Sequence, residues 1–225
     1  MEETCPALAQ LSAIEARVLG CLIEKQKTTP EQYPLSLNAL TLACNQKTSR
    51  EPVMDLSPGE VGHCLRELQA RELVERAFGG RVERYEHRFD RAYGLTLRKQ
   101  ALLALLMLRG AQTVNELLTR AERLADFSDA EDLRHTLERM AEQSPALVVN
   151  LGRGAGQRED RFMHLLSGTP DPATVFHSEA APRAASGSAL EARVAALEAA
   201  VAELSQALAQ LHGKSSPDEA QRNPG

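Results

Sequence analysis

Ser57-Pro-Gly-Glu-Val-Gly-His-Cys-Leu-Arg-Glu-Leu-Gln-Ala-Arg71, continued by Glu72-Leu-Val-Glu-Arg-Ala-Phe-Gly-Gly-Arg-Val-Glu-Arg-Tyr-Glu-His-Arg-Phe89, reads as a helix that runs into a hairpin. Ser57 supplies an N-cap, Pro58 the first helical position, and Glu60 the return arm of a capping box. Behind that start, Val61, Leu65 and Leu68 form an inward stripe. Leu73 to Phe78 has strand character, Gly79-Gly80 gives a tight turn, and Val82 to Phe89 returns as a second strand. A helix followed by such a hairpin is the second half of a winged helix-turn-helix.

The first half lies upstream. Ser12-Ala-Ile-Glu15 is another capping box, followed by Ile14, Val18 and Leu22 in a helix expected from Leu11-Ser12 to Leu22. A Pro-punctuated extended piece, Thr28 to Pro34, separates it from a helix capped by Ser36 that carries Leu37, Leu40 and Cys44. Asn45 to Asp55 then forms a polar loop.

The plan occurs twice. A capped helix recurs from Leu95-Thr96 to Leu106, Thr113-Val-Asn-Glu116 is a further capping box, and Ser128 or Asp129 opens a helix with Leu133, Leu137 and Met140 inward. Leu147 to Leu151 and Arg161 to Leu166 form its hairpin. Arg84-Tyr-Glu-His87 at the close of the first unit matches Arg161-Phe-Met-His164 at the close of the second. His87 and His164 are accordingly expected to share one structural hydrogen bond. The intervening Gly152-Arg-Gly-Ala-Gly156 is a wing tip and not a phosphate loop, because no helix N-terminus follows it.

Residues 168–188 turn to Pro, Ala, Gly and Ser, as in a linker. Leu190, Val194, Leu197, Val201, Leu204, Leu208 and Leu211 then alternate spacings of four and three, with Leu at d and Val at two a positions, the pattern of a parallel two-stranded coiled coil. Arg193 and Glu198 would pair between chains. The expected organisation is an N-terminal tail (1–10), winged helices over 11–93 and 94–167, the linker, a coiled-coil helix (189–212) and a polar tail (213–225). The fold class is mainly α with small β-hairpin wings.

Composition narrows the function. The 225 residues are 43% hydrophobic with 4% aromatic and no Trp, so Leu, Val, Ala and Ile must build the core. A net charge of -5 argues against a broad sequence-independent grip on nucleic acid, so any DNA contact is local. Residues 1–10 are not a signal peptide, and Ala101 to Leu108 is too short to span a bilayer, which leads to the expectation of a cytoplasmic protein with no membrane partner. Cys5, Cys21, Cys44 and Cys64 lack zinc-ligand spacing and read as buried thiols. No nucleophile motif or phosphate loop is present, so neither an enzyme, a metal nor a cofactor is expected.

Further strings point to a family. Glu15-Ala-Arg-Val-Leu-Gly-Cys-Leu-Ile-Glu-Lys25, Tyr33-Pro-Leu-Ser-Leu-Asn-Ala-Leu40, Ala43-Cys-Asn-Gln-Lys-Thr-Ser-Arg-Glu-Pro-Val53, Gly80-Arg-Val82, Tyr85-Glu-His-Arg88 and Leu106-Met-Leu-Arg-Gly110 resemble the YceH family of bacterial proteins over Leu11 to Gly168. The resemblance implies tandem winged helices and a bacterial source; it carries no activity. The chain departs from the family pattern at Ala111 and Gly152, where prolines are usual.

Two functions from different classes fit. In a DNA-binding regulator, the helix after Ser57 would enter the major groove with Gly62, His63, Arg66 and Gln69 outward. Arg66 would be the residue for bidentate guanine contact, and Lys47, Arg50, Arg81, Arg84 and Arg88 would hold phosphates. The coiled coil would make a homodimer with two reading heads. The alternative is a non-enzymatic adaptor whose acidic surface binds a protein partner. In the second unit Glu131 and Asp132 place like charge where phosphates would lie, while Arg153, Arg158 and Arg161 are expected within reach of a backbone.

Overall fold

The computed structural model describes residues 10–77, 82–154 and 157–171. The first repeat runs α1 (Ala13–Thr28), β1 (Leu35–Ser36), α2 (Leu37–Cys44), α3 (Pro58–Ala70), β2 (Val74–Ala77) and β3 (Arg84–His87). A short helix, α4 (Phe89–Tyr93), leads to the second repeat. That repeat comprises α5 (Leu97–Arg109), β4 (Gln112–Thr113), α6 (Val114–Ala121), α7 (Ala130–Glu142), β5 (Val148–Asn150) and β6 (Arg161–His164). The element order is that of a winged helix, twice.

The strand orders agree as well: β1-β3-β2 and β4-β6-β5, antiparallel throughout. The register repeats, with Leu35 opposite Tyr85 and Ser36 opposite Arg84 in one sheet, and Gln112 opposite Phe162 and Thr113 opposite Arg161 in the other. Ser36 and Thr113 serve two elements at once. Each ends a strand, and its hydroxyl accepts the N–H of the residue three further on, so that the next helix starts immediately.

This geometry explains the repeated Arg-aromatic-x-His string. Arg84 donates to the carbonyls of Pro34 at 2.8 Å and Gln32 at 3.3 Å, just before β1. Arg161 donates to the carbonyl of Ala111 at 2.9 Å, just before β4. Each arginine therefore clamps the segment entering the first strand of its own sheet. The aromatic between them in the ladder, Tyr85 or Phe162, is buried, as is each histidine.

The ends of the elements depart from the sequence reading. Helix α1 continues to Thr28 instead of stopping at Leu22, and it is buried almost all round from Glu15 to Ile23, not along one stripe. Its partner is α5, the equivalent helix of the second repeat. A Cβ built on Gly20 would stand 2.9 Å from Leu108 Cγ and 3.4 Å from Met107 Cβ, so the two helices approach as closely as glycine permits. The strands β1 and β4 were not foreseen, because two residues give no alternation to read. Helix α4 begins at Phe89, inside the expected second strand, and Phe89 is buried.

One hydrophobic cluster contains residues from both repeats, and the described residues all fall in a single compact unit. Two main-chain bonds tie the repeats together. The Leu11 N–H donates to the Leu166 carbonyl at 2.6 Å, and the Glu51 N–H to the Leu108 carbonyl at 2.8 Å. No helix among the described residues is long and apolar enough to cross a membrane. The heptad positions from Leu190 to Leu211, and the linker before them from residue 172 onward, lie outside the described residues.

Candidate nucleic-acid interface on the first repeat

Helix α3 starts as its sequence requires: the Glu60 N–H donates to Ser57 Oγ at 3.3 Å and the Ser57 N–H to Glu60 Oε2 at 2.8 Å. The Ser57 hydroxyl in turn donates to Glu60 Oε2 at 2.7 Å, and that bond, with the one from the Ser57 N–H, holds the Glu60 carboxyl below its ordinary range. Val61, Cys64, Leu65 and Leu68 are buried, which turns His63 and Arg66 fully outward and leaves Gly62 and Gln69 half-exposed. A Cβ on Gly62 would meet Leu37 only at 3.8 Å and Arg66 Nη1 at 3.9 Å, so the surface beside the Arg66 guanidinium is open. Among the described residues Arg66 and His63 have no ion-pair or hydrogen-bond partner. Lys47 is exposed on the loop before this helix.

Arg50 does not belong to this surface. Its side chain is fully buried, with Nη2 2.6 Å from Glu24 Oε2, Nη1 3.1 Å from Glu24 Oε1, and Nε donating to the Ala43 carbonyl at 3.0 Å. The sequence places it in a polar loop, where a cation reads as solvent-facing, but α1 extends far enough to bring Glu24 underneath. The expected phosphate contact is thereby corrected to an internal ion pair. Arg84 is exposed yet bonded to Gln32 and Pro34, and Arg88 lies between Glu75 at 2.6 Å and Glu86 at 2.7 Å. Both contribute charge near the wing while their geometry serves the fold. Arg81 lies outside the described residues.

The Asn45–Asp55 loop owes its form to internal bonds. Asn45 and Leu56 exchange two bonds of 2.8 Å, side-chain amide to main chain in both directions, which closes the loop. Arg17, an α1 residue that sequence reasoning missed, is 1% exposed and reaches the carbonyls of Cys44 at 3.0 Å and Pro52 at 2.6 Å. Its position in an apolar run, one residue before Val18, was the available signal. A charge there must find acceptors indoors. Burial pulls the Arg17 guanidinium below its usual range. Cys21, Cys44 and Cys64 are buried free thiols, and burial pushes Cys64 up to about 12; Cys5 is outside the described residues.

The equivalent surface of the second repeat has different electrostatics. Asp129 caps α7, Glu131 and Asp132 fill its first turn, and Asp132 pairs with Arg98, which lies 4.4 Å over the Phe127 ring. Arg161, expected to be available to a backbone, is 6% exposed in its side chain and bonded to Glu116 at 3.0 Å besides Ala111. Arg153 pairs with Asp160 at 2.9 Å.

The two matched histidines are both buried, but they do not share a partner. His87 Nε2 meets Gln26 Oε1 at 3.0 Å, and its Nδ1 stands 3.9 Å from Asp90, beyond hydrogen-bond reach. His164 Nδ1 is buried without a partner. Desolvation pushes each imidazole down to about 4.

Residues 11–157 match the family model described as "Protein of unknown function, DUF480". A UPF0502 protein of Pseudomonas paraeruginosa (strain DSM 24068 / PA7) is 56% identical over 191 residues, which cover 82% of this chain and 85% of that protein. A UPF0502 protein of Azotobacter vinelandii (strain DJ / ATCC BAA-1303) is 53% identical over 192 residues, 85% of each. The chain belongs to the DUF480 family. The YceH resemblance carried by Tyr33 to Val53 is thus established, and with it membership among the UPF0502 proteins of bacteria. A DUF480 relative in Xanthomonas campestris pv. campestris (strain B100), 52% identical over 199 residues, covers 86% of this chain and 88% of its own length.

Proposed function

We propose that this DUF480 protein binds DNA as a regulator-like, non-enzymatic protein, reading the major groove with α3 of the first repeat. The observation that carries the reading is the exposed Arg66 guanidinium beside His63 on α3, without an ion-pair partner among the described residues, whereas Arg50, Arg71, Arg76 and Arg88 of the same repeat are each held by a carboxylate. The acidic first turn of α7 supports placing the reading on the first repeat, since Glu131 and Asp132 put like charge where phosphate would lie. The reading includes a cytoplasmic homodimer joined through Leu190, Val194, Leu197, Val201, Leu204, Leu208 and Leu211, with two α3 helices on a pseudo-palindromic site.

Because the repeats share one core, the test uses the full chain. Labelled genomic fragments are titrated with the protein and with Arg66→Ala. Specific affinity should fall by roughly 1 to 3 kcal/mol if Arg66 makes a bidentate base contact, with the melting temperature unchanged. Binding should also weaken steeply with salt. Equal affinity of the variant would remove α3 from the interface. Absence of any DNA binding would favour the adaptor reading, for which the net charge of -5 is the supporting observation.

A further inference from the structure

Two buried thiols meet beside a buried cation that no ion pair neutralises. On α1, Arg17, Cys21 and Glu24 follow one another at spacings of four and three, so they share a face of the helix. The end of α2 and the loop after it pack on that face. Arg17 Nη1 donates to the Cys44 carbonyl at 3.0 Å, and Arg50, bonded to Glu24, donates through Nε to the Ala43 carbonyl at 3.0 Å. Cys21 lies between these two anchors. Its sulfur is hydrogen-bonded to the Cys44 thiol and to the Arg50 guanidinium, and both cysteines are fully buried.

Glu24 balances the charge of Arg50. Arg17 has no such partner. It has no ion pair among the described residues, and its Nε is buried without a hydrogen bond. The carbonyls of Cys44 and Pro52 solvate it in part, and the exposed Glu51 attracts it more weakly than the Cys21 sulfur does. A buried cation in that condition is costly, so the surroundings of Arg17 favour one added negative charge.

We propose that Cys21 and Cys44 bind one soft monovalent cation of the copper(I) class in two-coordinate thiolate ligation, with Arg17 as the counter-ion. Binding forms two sulfur–metal bonds, releases both S–H protons to water and moves no electron. Two neutral thiols and a free monovalent cation become a complex of charge -1, which Arg17 offsets. Thiolate ligands are soft and suit Cu(I). Zinc fits less well, because a structural site needs four ligands and no group of three or more His, Cys, Asp and Glu side chains stands together among the described residues. A disulfide is neutral and would leave Arg17 as it is. Cys44 is the last residue of α2, so local opening of the Asn45–Asp55 loop gives the ion its way in. Chain spacing gave no sign of the site, since the packing of α1 on α2 brings its ligands together. His63 and Arg66 take no part, so the site is independent of the DNA reading.

The experiment titrates full-length protein with Cu(I) held by a chromogenic chelator under reducing, oxygen-free conditions. A Cys5→Ala, Cys64→Ala variant should remove one ion per chain from the chelator, and adding Cys21→Ala or Cys44→Ala should weaken binding more than tenfold. Arg17→Met should weaken it roughly 10- to 100-fold, and Arg17→Lys, which keeps the charge, by less. Copper-edge X-ray absorption of the loaded Cys5→Ala, Cys64→Ala variant leaves the site unaltered and should show two sulfur neighbours. Three or four neighbours, displacement by an equal concentration of Zn2+, or equal affinity without Cys21 would overturn the proposal. So would failure to bind copper together with closure of a Cys21–Cys44 disulfide by hydrogen peroxide, in which two S–H bonds are lost, one S–S bond forms and the peroxide is reduced to water.

Discussion

Arg50 and Arg66 carry the same group into different surroundings, and the surroundings decide what each can do. Arg66 lies opposite the apolar stripe of α3, and its five donors have no ion-pair or hydrogen-bond partner among the described residues. Arg50 spends its donors on Glu24, Ala43 and Ser49, with its side chain fully buried. Removing Glu24 would strand that charge. Glu24→Ala should therefore destabilise the fold by about 3 kcal/mol, the low end of the range for broken buried pairs, because Glu24 itself borders solvent. Urea denaturation measures it; a loss near zero would mean that water replaces the carboxylate. The histidines act through protons. Both stay neutral in the fold down to about pH 4, whereas the unfolded chain binds protons below about 6.5. The folded pKa is depressed, so stability is lost as pH falls from about 6.5 to 4, and these two groups add no further loss below that. Each contributes roughly 3 kcal/mol at the end of the window. Denaturation at pH 7.5, 6 and 4.5 should show the decline, and His164→Leu should make it shallower. An identical slope in the variant would show that His164 titrates normally.

At the scale of elements, two helix-interior glycines make opposite predictions. Gly20 faces Leu108 at a distance that no Cβ tolerates, and Leu108 is itself buried. Gly20→Val should destabilise by roughly 1 to 3 kcal/mol through overpacking of α1 against α5. Gly62 has open space, so Gly62→Ala should stabilise by about 0.5 to 1 kcal/mol from helix propensity alone. Thermal melts of the two variants against the parent chain decide this, and shifts of the same sign would mean that the α1–α5 contact yields. The sequence made the capped helix starts legible, since Ser12, Ser57 and Thr113 state their function locally through a glutamate three residues on. It made the hairpins legible through alternation and Gly79-Gly80. It left the α1–α5 packing hidden, because nothing local to Gly20 indicates what lies across from it. The same limit governs the site. Arg66 and His63 follow from helical periodicity, whereas the burial of Arg17 and Arg50 depends on residues brought in from elsewhere along the chain.

The molecule as a whole combines a body whose ends are tied together with a C-terminal sequence of heptad pattern. The body closes on itself through a main-chain bond between Leu11 and Leu166. The sequence from Leu190 to Leu211 carries a heptad stripe. A lone helix of that length is marginal in water, and its leucine seam needs a second apolar surface. On the proposed reading the same helix of another chain would supply one in register, with Leu197 and Leu204 at the seam and Arg193 reaching Glu198. Deleting everything after Ser188 should turn a dimer into a monomer, read by sedimentation, while the body melts at an unchanged temperature. If DNA is bound as proposed, the truncated protein should also lose affinity for a two-half-site duplex but not for a single half-site, because only the pairing of two α3 helices has been removed. A dimer that survives truncation would move the self-association surface to the body. A full-length monomer would mean that the leucine seam packs against its own chain, and the two reading heads would then have to act singly.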